Sequence, residues 1–159
     1  MNKLLATLIA GLVATSAYAQ TNDNVAAVAK AEAKAEKNVA KAEEKEAKVA
    51  AKADEKVADA LADANEKKEK AHAKAVEKHN DAAKKVMKAD PEDRAKEFAK
   101  AEEKVSEANL KAEKKMIKAD EKALKVQVDA AADKATASAK TEQARAEAQA
   151  DVHKAAAKD

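Results

Sequence analysis

Three histidines and two serines are the residues past position 19 whose types most readily do chemistry: His72, His79, His153, Ser106 and Ser138. His72 and His79 stand seven apart. On one helix two turns separate them by about 10 Å, too far to share a single metal ion. Beside an apolar row they read as tolerated, half-exposed stripe residues, with a metal site shared between chains or pH sensing as the alternatives. His153 has no evident partner. Ser106 and Ser138 lack the convergent base and rigid pocket that nucleophilic catalysis needs. Gly11 is the only glycine, so no phosphate-cradling loop exists beyond it, and the chain has no Cys at all. We therefore expect no enzyme activity, no cofactor, no metal site and no small-molecule substrate. One aromatic residue past position 19, Phe98, and a net charge of +2 in 159 residues also argue against nucleic acid as a partner.

The elements that would position any site are unusually uniform. Charged residues make up 39% of the chain, yet only 18 of the 140 residues after position 19 are Val, Leu, Ile, Met or Phe. That is below the roughly 20% at which a packed core becomes doubtful. Ala recurs at 31, 42, 53, 64 and 75, and Lys at 34, 45, 56, 67 and 78, a period of eleven. A second array starts at Ala101 with AEEKVSEANLK and AEKKMIKADEK. Eleven residues make three turns at about 3.67 per turn, so each column of the repeat keeps its angle along a helix. Column one, the constant Ala, lies beside columns five, eight and nine. The last three carry Val39, Val49, Val57, Leu61, Val105 and Met116, the candidate interaction stripe. Lys-rich columns four, seven and eleven flank it.

The arrays break once, around Ala89-Asp90-Pro91-Glu92. Asp90 suits an N-cap and Pro91 a first helical position, so a second helix is expected to begin at Asp90, with Phe98 packing near the tip. The expected fold is all-α: two amphipathic arms, 20–89 and 90–159, forming an antiparallel helical hairpin. One long kinked helix or a conditionally disordered chain is the alternative. After Asp133 the stripe thins to Ala with Thr136, Ser138 and Thr141, so the C-terminal turns are expected to fray first.

Residues 1–19 read as an address. Lys3 precedes an apolar run of about eleven residues, and Ala17 and Ala19 are the small residues that signal peptidase recognises before Gln20. The run is too short for a membrane span, which needs about 20 residues. Export to the periplasm of a Gram-negative bacterium follows as an expectation.

In its eleven-residue blocks the chain resembles group 3 late embryogenesis abundant proteins over roughly residues 28–133. That resemblance implies a hydrated chain that folds on drying or crowding and protects other proteins or membranes. The stretch AKAEAKAEKNVAKAEEKEAKVAAKADEK also resembles the Ala/Lys/Glu-rich helical middle section of TolA, in composition alone. Possible partners are a second copy or an envelope protein, with at most weak adsorption to an anionic membrane surface.

Overall fold

In a computed structural model, which describes residues 22–157, the chain is two long helices packed against each other as a hairpin. Helix α1 spans Asn22–Lys88 and α2 spans Arg94–Ala156. The described residues contain no strand. Ala, Lys and Glu favour helix, and no glycine interrupts either element.

The break falls where the sequence places it, but α2 starts later than Asp90. Pro91 disfavours helical geometry at Asp90, and α1 closes with the Ala89 N–H donating to the Val86 carbonyl at 3.3 Å, an i to i−3 bond that tightens the last turn. The Asp93 N–H donates to the Asp90 carbonyl at 3.0 Å, forming a turn with Pro91 in the second position that proline prefers. Only then does α2 begin, the Asp93 carbonyl accepting from the Glu97 N–H at 3.0 Å. Lys85 and Lys88 occupy the last turn of α1 and Glu97 the first turn of α2, each charge opposing the local helix dipole.

Two compact units divide the described chain, one from residues 22–46 with 138–157 and the other Ala47–Ala137. In the second unit the seam is almost entirely alanine. Ala64 packs with Ala119 and Ala123, and Ala71 and Ala75 pack with Ala112, against which Met116 lies. Ala53, Ala82 and Ala130 are buried as well. Methyl-only faces let two helices approach to the close end of the usual 8–10 Å range. In the first unit Ala35, Val39 and Thr141 are buried. Thr141 is thus a seam residue, and α2 stays helical past the weak stretch to Ala156. Residues 1–19, with the proposed cleavage residues Ala17 and Ala19, and Gln20 after them, lie outside the described residues.

Candidate functional site

The seam is built by alanines of columns one and eight. Ala64 packs with Ala123, and eleven residues on, Ala75 packs with Ala112; all four occupy column one. At about 98° per residue, columns five and eight lie about 33° to either side, and column nine about 65° away. Val39 is buried, and Val49, Val57, Val105 and Met116 are half-buried, but Leu61 in column nine is 41% exposed. In the unit Ala47–Ala137 the inward face is columns one, five and eight, whereas Val39, also in column nine, is buried in the other unit. That face is occupied within the chain.

Charged pairs continue the same register. Lys68 Nζ donates to Asp120 Oδ1 at 2.9 Å, Lys134 to Asp54, and His79 Nε2 lies 3.1 Å from Asn109 Oδ1 in the unit Ala47–Ala137. The residue numbers of each pair add to 188, so the register runs without a slip from 79/109 to 54/134. In the other unit Arg145 Nη2 donates to Glu43 Oε1 at 2.9 Å, and that pair gives 188 too. Lys34 and Asp151 lie 3.6 Å apart and depart from that sum, their numbers adding to 185. Arg145 also donates to Glu142, and these carboxylates, Glu43 first, hold its guanidinium above its ordinary value.

His72 and His79 are both exposed, and His79 meets Asn109 on the other helix. Among the described residues no group of three His, Cys, Asp or Glu is placed to hold a metal ion. Phe98 does not pack into the tip as expected: it is 54% exposed.

One face of the unit Ala47–Ala137 is strongly cationic. Over the floor formed by Ala71 and Ala119 runs a groove of about 550 Å³, whose rims are Lys67, Lys70 and Lys74 on α1 and Lys115, Lys118 and Lys122 on α2. Glu121 is its one acidic lining residue. Lys67 pairs with Asp63 and Lys70 with Glu66, four residues back in each case. The hydrogen bond to Glu66 raises the Lys70 ammonium above its usual value. The lysines come from columns four, seven and eleven, and the antiparallel register sets the two Lys-rich flanks side by side.

A feature the repeat conceals lies on α2. Leu110, Ile117, Leu124 and Val128 are all more than half exposed. Their spacing of seven, seven and four walks through several columns of the eleven-residue frame, so a search for fixed columns misses it. At about 100° per residue they fall within about 40° of one another, roughly 140° from the seam. No helix among the described residues is long and apolar enough to cross a membrane.

No protein-family model, curated protein or solved structure matches the chain.

Proposed function

We propose that the chain is a non-enzymatic, exported helical protein of the cell envelope that acts by its length and its surface, as a spacer or an interaction module. The observation that carries this reading is the seam, in which alanine columns of the two helices meet while the charged residues of both helices stay at the surface. Such a construction spends its small alanines on holding two helices together and leaves its larger groups to whatever docks outside. The export step rests on Lys3, the apolar run after it, and Ala17 and Ala19.

The test joins cell fractionation with circular dichroism in dilute buffer. Recovery in the periplasmic fraction, full helicity in buffer and a cooperative melt are the expected results. A chain that is coil in buffer and turns helical only on drying or with a dehydrating cosolvent overturns the reading in favour of a conditionally folded stress protectant, because an alanine seam buries little area against about 1–2 kcal/mol of backbone entropy per residue.

The lysine groove favours a second reading, weak adsorption to anionic membrane surfaces. Lysine stems lie along apolar ground while their ammonium groups reach phosphate. Binding to phosphatidylglycerol vesicles that vanishes at high salt, and is absent with neutral vesicles, is the expected signature. Salt-insensitive binding to neutral vesicles counts against it.

A further inference from the structure

The row Leu110, Ile117, Leu124 and Val128 is an apolar surface that the hairpin does not use. We infer that a second copy of this chain docks there, α2 against α2, with the two helices parallel. The inference rests on the reading that the hairpin is folded in dilute solution and acts through its surface.

Period is the first argument. Residues of the seam recur every eleven, which keeps two helices nearly straight beside each other, whereas the outer row recurs at seven and seven and drifts by about 20° per step on a straight helix. A row that drifts in this sense stays in contact with a partner when the two helices wrap in a left-handed coil. The outer row therefore has the period of helix pairing, in a chain whose internal pairing uses another.

Charge decides the partner and its direction. Glu113 and Asp120 border the row on one side; Lys114, Lys118 and Lys125 border it on the other, where Glu121 also lies and where Glu107 stands 3.6 Å from Lys111. In a parallel two-fold pair the acidic border of one copy faces the lysine border of the other. Glu113 then meets Lys118 of the second copy, and Asp120, which already accepts from Lys68, meets its Lys125. An antiparallel two-fold pair sets lysine border on lysine border and acid on acid. A flat lipid surface is served poorly, because Glu113, Asp120 and Glu121 would be pressed toward the headgroups. The outer border charges of the row are complementary only in the parallel arrangement, which also sets Lys114 and Glu121 beside their own copies.

Sedimentation equilibrium of the full chain across roughly a hundredfold range of concentration, with circular dichroism on the same samples, tests this. We expect the 16.8 kDa mass to double with rising concentration. Ile117→Lys with Leu124→Lys is expected to weaken dimerisation about 100-fold or more while leaving helicity intact, since both residues lie outside the seam. Because the chain has no cysteine, Leu110→Cys and Leu124→Cys report direction cleanly: parallel pairing in register gives a disulfide-linked dimer from each variant alone on mild oxidation. A helical monomer at every concentration overturns the inference and leaves the folded-hairpin reading standing, whereas a coil overturns both. Cross-linking only when the two cysteine variants are mixed indicates antiparallel pairing and overturns the inference. So does a dimer unaffected by the two lysine substitutions, or vesicle binding lost with them while the chain remains monomeric.

Discussion

Arg145 reaches across the seam to Glu43, Nη2 to Oε1 at 2.9 Å, from the same repeat column that holds Ala112 and Ala123. Lys134 stands in that column too and pairs with Asp54. Where α2 replaces its column-one alanine by a cation, α1 offers an acid in column two, beside Ala42 and Ala53. The alanines leave room for the long stems, which lie half-buried in the seam.

The Arg145–Glu43 pair is about two-thirds screened from water on each side, so its net contribution is modest. A double-mutant cycle with Glu43→Gln and Arg145→Met is expected to give a coupling of about 0.5–1 kcal/mol that shrinks as salt rises. A coupling of zero at low salt would show that the seam is indifferent to the pair.

Seam and rim are expected to respond differently to side-chain size. Ala64→Leu or Ala123→Leu forces an isobutyl group between helices that meet through methyls and should cost about 1–3 kcal/mol. Leu61→Ser, at a position 41% exposed, should stay within about 0.5 kcal/mol. Thermal melts of the three variants check the ranking, and equal effects would contradict the observed column assignment.

Register supplies a prediction that a loose bundle would not make. Deleting residues 64–74 together with 114–124 removes one repeat from each helix and keeps 54 opposite 134 and 79 opposite 109. That variant is expected to remain helical with a cooperative melt. Deleting 64–74 alone leaves α1 one repeat short, so that no single register satisfies the pairs on both sides of the cut, and its melting temperature should fall well below that of the matched deletion.

Glu97, in the first turn of α2, accepts from Lys100 at 2.5 Å, and this bond holds its carboxyl below the usual range of 4.5. A depressed carboxylate stabilises the fold above its unfolded value and loses that contribution as pH falls through the lower folded value. The melting temperature is therefore expected to drop on acidification below about pH 4, with Glu97→Gln flattening part of the drop. Lys70 and Lys100, raised by Glu66 and Glu97, act in the opposite direction: their contribution is present below 10.5 and lost as pH rises through the higher folded values.

Much of this architecture was legible in the residues themselves. The recurrence of Ala at 53, 64 and 75 predicted the buried column, and Pro91 marked the turn, because period and backbone restriction are local properties. Leu61 and Phe98 were misplaced because burial depends on how closely the partner helix approaches at each point, which a repeat along one stretch of sequence does not contain. The pairing of Lys34 with Asp151, or Arg145 with Glu43, needs the register, which only the length of the connection at 89–93 fixes. Leu110, Ile117 and Leu124 escaped notice because their period of seven lies beneath a stronger one of eleven.

Those two periods separate folding from association. Val57, Val105 and Met116 lie half-buried in the seam of one chain, so replacing all three with Ser removes intramolecular contact area. At about 0.8 kcal/mol for each methylene-sized group only partly withdrawn from water, the triple variant should lose about 2–4 kcal/mol. The loss should be the same in dilute and concentrated solution, because a contact within one chain has no mass-action term. Ile117→Lys with Leu124→Lys should do the reverse, leaving the dilute melting temperature unchanged and removing its rise with concentration. Melts of both variants over a wide concentration range separate the cases. If the serine variant instead loses only a concentration-dependent part of its stability, the alanine column is being buried between chains, and the hairpin seam is not what holds α1 to α2.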